Sequence, residues 1–167
     1  MFIQLKDGRM IEAGKVKKEK RIDVSVGAKK YYFDSFLIQL SHSSKYAGSA
    51  DLRRPAVIYG YPVGRHVGEV GYFVSKSFRG SGLSYLMLHE IAKFALSHGM
   101  KLILMSTTTD NKSAVMIFKN CGGKISADFE GVMKEGKSVI WMSAAAEDII
   151  KKSRLMWIKK GVQIVRS

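Results

Sequence analysis

Most of the chemistry in this chain is concentrated in one stretch, Glu69-Val70-Gly71-Tyr72-Phe73-Val74-Ser75-Lys76-Ser77-Phe78-Arg79-Gly80-Ser81-Gly82-Leu83-Ser84. A strand-like segment runs into a glycine-bearing turn, and the turn opens onto an amphipathic repeat, Leu83, Leu86, Met87, Ile91, Phe94 and Ala95. A helix that begins at such a turn leaves its first backbone N–H groups unpaired. With the positive end of the helix dipole behind them, they can hold a phosphate group. Gly80 and Gly82 let the main chain approach the anion, and Arg79 adds a charge. No Gly-Lys-Ser/Thr follows, so the pattern is not a P-loop, and the third glycine of the dinucleotide fingerprint is missing. Glu69 stands among uncharged strand residues, where desolvation makes a carboxylate a stronger base. Its alternative is to face solvent or to pair with Arg65.

The elements that must position these groups follow from periodicity. Phe2 to Leu5 and Met10 to Ala13 flank Asp7-Gly8, a tight-turn pair, and read as a hairpin. Arg21 to Val26 alternates polar and apolar as a half-buried strand does. Tyr31 to His42 fits either strand or helix. Ser41 to Arg54, rich in Ser, Gly and charge, reads as a loop or broken helix at a substrate mouth. Ala56 to Tyr61 and Val67 to Val74 are strand candidates joined by a turn around Pro62-Val63-Gly64. After the helix that stops at Gly99, Leu102 to Met105 is apolar without alternation, as in a strand covered on both faces. A second helix fits Asn111 to Cys121, with Ala114, Ile117, Phe118 and Cys121 inward. Strands near Lys124 to Phe129 and Ser138 to Met142 follow, then a basic helix over residues 144–160. The β-α-β-α-β order predicts a mixed sheet with helices packed on it.

Composition excludes several classes. The 167 residues suffice for one domain with a real core. One cysteine, Cys121, allows no internal disulfide and no thiolate zinc cluster, and the four histidines lack ligand spacing, so no metal site is expected. No apolar run reaches the roughly 18 residues of a membrane span. Met1 to Asp7 has no secretory pattern, which points to the cytoplasm. Lys and Arg number 28 against 14 Asp and Glu, a net +14 that attracts polyanions such as nucleic acid, phosphorylated ligands or anionic membrane. The excess also has a plainer reading, as a means of solubility. The run Lys15 to Arg21 is a solvated edge or a polyanion contact. Lys151, Lys152, Arg154, Lys159 and Lys160 on the last helix either complement its dipole or bind phosphates or a membrane surface.

The stretch resembles the GNAT superfamily of acetyl-CoA-dependent N-acyltransferases. The family motif Gln/Arg-x-x-Gly-x-Gly/Ala is matched by Arg79, Gly80, Ser81, Gly82, Leu83 and Ser84, where Ser84 departs from Gly/Ala but remains small. A second motif, Asn-x-x-Ala-x-x-x-Tyr-x-x-x-Gly, falls on Asn111, Ala114, Phe118 and Gly122, with Phe118 in place of tyrosine. Both lie within residues 67–123, in the family's order. The N-terminal third shows no such match, and the family's usual helix pair after its first strand is not evident.

The resemblance implies an α/β (α+β) fold: a mixed, mainly antiparallel central sheet flanked by helices, here with an N-terminal β-rich extension, all within one domain spanning residues 1–167. It implies acetyl-CoA as co-substrate, with the diphosphate on the amides of Arg79, Gly80, Ser81, Gly82, Leu83 and Ser84. The pantetheine arm would lie along Phe73 and Val74 like an added strand, with Asn111 and the Phe118 face bordering it.

Acetyl transfer to a primary amine requires that the ammonium lose its proton, that the developing oxyanion meet a fixed donor, and that the departing thiolate gain a proton. By the same resemblance Glu69 falls where many relatives place a catalytic glutamate and is the candidate base, and an N–H of residues 70–74 is the candidate donor. The acid is left open among Tyr72, Tyr85, Tyr46, Cys121 and water, since a phenyl ring at 118 has no proton to give. The surplus charge suggests an acceptor carried on a polyanion: tRNA, DNA or the ribosome. A small amine, a homodimer, and a catalytically silent module that binds nucleic acid or protein are the other readings.

Overall fold

The computed structural model describes residues 1–26, 29–58, 61–62, 64–132 and 136–166, with the backbone alone at 20–26, 29–32, 57–58 and 61–62. The first hairpin forms as its turn chemistry predicts: β1 (Phe2–Gln4) pairs antiparallel with β2 (Met10–Ala13), and Gly8 turns the chain at φ 86°. Next come β3 (Lys17–Val26) and β4 (Lys29–His42), a long antiparallel hairpin that resolves the strand-or-helix ambiguity in favour of strand. The basic run from Lys15 to Arg21 lies largely on β3, whose one partner among the described strands is β4.

Residues 45–54 depart from expectation. Instead of a loop they form β5 (Lys45–Arg54), a central strand between β4 and β8. Gly48, Ala50 and Leu52 point to the core, and Ser49, Asp51 and Arg53 to the other face, so the small and charged residues are the two faces of one strand. The Ala56–Tyr61 candidate also changes. It is split between β6 (Val57–Ile58) and β7 (Tyr61–Pro62), which pair with each other in a separate small sheet. Tyr59, Gly60 and Val63 lie outside the described residues.

The remaining elements are β8 (Val67–Val74), α1 (Leu83–Ser97), β9 (Leu102–Thr108), α2 (Lys112–Asn120), β10 (Lys124–Phe129), β11 (Val139–Ala145), α3 (Ala146–Lys159) and β12 (Gln163–Arg166). The last strand, absent from the periodicity reading, closes the far edge of the sheet beside β1. The main sheet has ten strands in the order β10-β11-β9-β8-β5-β4-β2-β1-β12, with β3 also on β4. Among the described ladders, β8 with β9 is the one parallel pair, and α1 supplies the crossover that such a pair requires.

The apolar stripe of α1 packs on β5 and β8 and against α3. This face carries the main core, with Leu40, Leu52, Val70, Leu86, Ile91, Ile103 and Met142 nearly inaccessible to solvent. On the other face Ala56, Val67 and Leu104 form a small cluster, so β9 is covered on both sides as its unbroken apolar run predicts. Where related chains would be expected to have two helices after the first strand, this one has the β2–β4 extension. No helix among the described residues is long and apolar enough to cross a membrane.

Candidate active site

The parallel ladder is short. Val67 pairs with Leu102, Gly68 with Ile103 and Glu69 with Leu104, and there it stops, although β8 continues to Val74 and β9 to Thr108. Past Glu69 the two strands splay, and on that edge Val70 to Val74 have no ladder partner among the described residues. β5 holds the opposite edge through to Gly48 and Val74. A strand pinned on one edge and open on the other can accept an extended ligand by main-chain pairing. The splay opens a cleft of about 280 Å³ between β8, the start of α1 and α2. Phe73, Val74, Arg79, Ser84 and Asn111 line it, so five of the residues expected at the cofactor meet there.

In the loop that leads from the cleft-lining Arg79 to Ser84 the backbone is arranged for an anion. Gly82 has φ 94° and N-caps α1, whose first internal donors, Tyr85 and Leu86, both reach the Gly82 carbonyl. Among the described residues, the amides of Gly80, Gly82, Leu83 and Ser84 have no acceptor within the chain. Gly80 (φ 79°) sits in open space, whereas Gly82 is crowded: a Cβ there would lie 2.8 Å from Lys160 Cβ and 2.9 Å from Val162 Cγ2. The Ser81 hydroxyl donates to the Phe78 carbonyl at 2.6 Å, and Arg79 Nε donates to the Val74 carbonyl at 3.4 Å, which ties the loop back to β8. Leu83 contributes its amide only, because its side chain is in the core.

Glu69 lies on the face opposite α1, since Val70 and Val74 belong to the α1-side core and side chains alternate along a strand. It is 7 % exposed, and its Oε2 is 3.9 Å from Arg53 Nη1 on β5. Arg53 also reaches Asp51 Oδ2 at 3.5 Å through Nε. The neighbouring cation is therefore Arg53, directly across the strand pair, rather than Arg65 at the strand entrance. Glu69 thus stands at the apex of the splay, on the far side of the sheet from the helices.

Two expected neighbours of the cofactor arm need separate treatment. Asn111 lines the cleft while its Oδ1 accepts the Ala114 amide at 3.2 Å, so it also caps α2. Phe118 does not border the cleft. It is fully buried in the core, and a Cβ on Gly123 would overlap its ring. The helical turn puts Ala114 and Ile117 at the cleft wall and swings position 118 behind them.

Of the acid candidates, Tyr72 lines the cleft, and its hydroxyl donates to the Ala114 carbonyl at 3.4 Å. Burial, with lesser contributions from the nearby Cys121 and Tyr85, pushes its pKa above the ordinary phenol value. Burial likewise pushes the Cys121 thiol up to about 12. Tyr85 is buried and accepts from Asn120 Nδ2 at 2.9 Å, and Tyr46 stacks on Phe73 outside the cleft, with centroids 6.1 Å apart. Ser113 and Ile117 are cleft residues that sequence reasoning did not assign to the cofactor. The inward helical position of Ile117 was the available signal.

The chain is similar to known proteins in family and in fold. A sequence model described as "Acetyltransferase (GNAT) family" matches residues 13–122. No curated protein matches the chain in sequence. Among solved structures, a GNAT-family acetyltransferase from Streptococcus pneumoniae is 20% identical with a TM-score of 0.58, the match covering 66% of each chain. This chain thus spans slightly under two thirds of that protein. The ribosomal-protein-S18-alanine N-acetyltransferase from Escherichia coli is 15% identical with a TM-score of 0.56, over 67% of this chain and 69% of that one. YncA from Salmonella typhimurium, solved with its cofactor acetyl-CoA, is 16% identical with a TM-score of 0.58, over 67% and 65%. At these identities the likeness is one of fold.

Proposed function

The chain belongs to the acetyltransferase (GNAT) family, and from that premise we propose that residues 1–167 act as one acyltransferase unit moving an acetyl group from acetyl-CoA to a primary amine. The observation that carries this is the splay of β8 from β9 above a helix start with four unbonded amides. That combination suits a ligand with an extended amide-bearing arm and a diphosphate. Acetyl-CoA supplies the activated thioester. The amides of Gly80, Gly82, Leu83 and Ser84, with Arg79, hold the diphosphate, and the open edge at Phe73 and Val74 holds the arm.

Glu69 takes the proton from the incoming ammonium, directly or through a water. An ammonium with a pKa near about 10.4 has no lone pair for attack until then. The buried setting of Glu69, on the strand that flanks the splay, supports a carboxylate whose desolvation makes it a stronger base. An N–H on the open edge of residues 70–74 meets the developing negative oxygen. Tyr72 keeps a proton within the cleft for the departing sulfur, in a chain whose Phe118 offers none.

For the acceptor, the +14 charge favours an amine carried on a polyanion, such as tRNA, DNA or a ribosomal component. The ribosomal-protein acetyltransferase of similar fold lends that reading some weight. The single buried thiol, Cys121, suits a reducing setting, and the cytoplasm is the compartment we propose.

Calorimetric titration with acetyl-CoA, followed by thiol-release assays over amines, peptides and aminoacyl-tRNA, tests the proposal. Micromolar binding with acceptor-dependent thiol release is expected. Binding without release by any amine would favour a silent binding module, and no binding at high micromolar concentration would refute the transferase reading.

A further inference from the structure

Three segments distant in sequence converge at the end of the sheet where α1 begins. The β1–β2 turn brings Lys6 and Arg9, the loop before α1 brings Arg79, and the last residue of α3 and the turn after it bring Lys159 and Lys160. Together they wall a groove of about 710 Å³. One carboxylate, Asp7, also lines it, and it is taken up by Arg9 at 2.6 Å. The walls are locked to one another. Arg9 Nη1 donates to the Ser77 carbonyl at 2.9 Å, and its guanidinium carbon lies 4.6 Å from the centre of the Phe78 ring. A Cβ on Gly161 would lie 3.0 Å from Lys6 Cβ, and one on Gly82 2.8 Å from Lys160 Cβ. Five cations on a concave, tightly packed surface with a single, already paired carboxylate suit a multiply charged anion.

The position of the groove says which anion. Arg79 lines both this groove and the β8–α2 cleft, and Gly80 and Ser81 of the amide loop form part of the groove wall. A ligand leaving the cleft across that loop enters the groove next. Its volume is that of a small-molecule site rather than of the extended track a polynucleotide backbone follows.

We propose that the groove receives the 3′-phosphorylated nucleotide end of acetyl-CoA, with Lys6, Lys159 and Lys160 holding the 3′-phosphate. This rests on the cofactor reading above. A phosphate monoester carries close to two charges at neutral pH and takes up several cationic donors at once. The groove then accounts for the basic end of α3 and for the cations of the N-terminal turn with a single ligand.

The test compares acetyl-CoA with its 3′-dephospho analogue by calorimetry, on the wild type and on the combined variant Lys6→Ala, Lys159→Ala, Lys160→Ala. The wild type is expected to bind acetyl-CoA about tenfold more tightly than the analogue, in line with a few charge-assisted contacts. The variant is expected to bind both alike, near the wild-type affinity for the analogue. The combined Lys→Arg variant is expected to keep the discrimination, which separates lost charge from lost folding. Equal binding of both ligands by the wild type, or discrimination that survives in the alanine variant, would overturn the assignment. So would an RNA oligonucleotide that binds the wild type, but not the alanine variant, without displacing acetyl-CoA. If neither ligand binds at all, the cofactor reading itself has failed, a result distinct from binding without discrimination.

Discussion

The Tyr72 hydroxyl donates to the carbonyl of Ala114 at 3.4 Å, so a phenol on the splayed strand reaches across the cleft to α2. Burial keeps that phenol protonated well beyond its ordinary range, so it retains its proton wherever an amine acceptor is reactive. Tyr72→Phe should therefore lower kcat by about 10²-fold, the usual scale for a lost general acid. Acetyl-CoA affinity should stay within a few fold, because the open main-chain edge is untouched. In the wild type, kcat should not fall between pH 8 and 10 through loss of this proton. Unchanged kcat in Tyr72→Phe would assign the proton to water.

Glu69 stands at the apex of the splay and the Arg79–Ser84 loop lies beyond the other end of β8, so the proposed proton transfer and the proposed cofactor binding can be tested separately. Glu69→Gln keeps the shape and the contact with Arg53 while removing the basic oxygen. The variant should lose about 10²–10³-fold in kcat, with acetyl-CoA binding unchanged by calorimetry. Raising the pH should recover part of the loss as the free amine becomes more abundant. A variant with wild-type kcat at neutral pH would remove Glu69 from the mechanism.

Restoring the family's tyrosine should not help this protein. Phe118 is fully enclosed and pressed against Gly123. Phe118→Tyr adds a hydroxyl to a packed interior and should cost about 1–3 kcal/mol in denaturant unfolding without raising kcat. A gain in rate would mean that the ring reaches the reacting atoms.

The two glycines of the loop should differ. Alanine at either position must adopt a left-handed conformation, at about 1–2 kcal/mol. At Gly80 nothing lies within 4 Å of the new methyl, but at Gly82 it would collide with Lys160 and Val162. Gly82→Ala should thus destabilise by about 1–3 kcal/mol more than Gly80→Ala. It should also weaken acetyl-CoA binding more, since the collision displaces the start of α1. Equal unfolding midpoints would show that the C-terminal turn yields freely.

The sequence revealed its elements unevenly, for identifiable reasons. The 3.6-residue repeat from Leu83 to Ala95 and the unbroken run at Leu102 to Met105 are strong patterns, and both elements formed where expected. In β5 the Ser, Gly and charged residues suggest a loop, yet Gly48 is small for a packing reason: a Cβ there would lie 2.6 Å from the Phe73 carbonyl oxygen. Its alternation, inward at 48, 50 and 52, was present but masked by composition. β12 is four residues long, and its place is set by β1, at the other end of the chain, rather than by its own pattern. The amide loop was legible because glycine spacing and a helix start are local features. The groove beside it was not, because Lys6, Arg9 and Lys159 meet only through the packing of the two ends of the chain. Phe118 sat at the right spacing, but only the roll of α2 reveals that its ring turns away from the cleft.

The most direct test of the account is a crystal structure of the complex with acetyl-CoA. The diphosphate is expected on the amides of Gly80, Gly82, Leu83 and Ser84, the arm paired with the main chain at Phe73 and Val74, and the thioester near the apex within a water's reach of Glu69. A carrier bound elsewhere, with the Arg79–Ser84 loop empty, would contradict it.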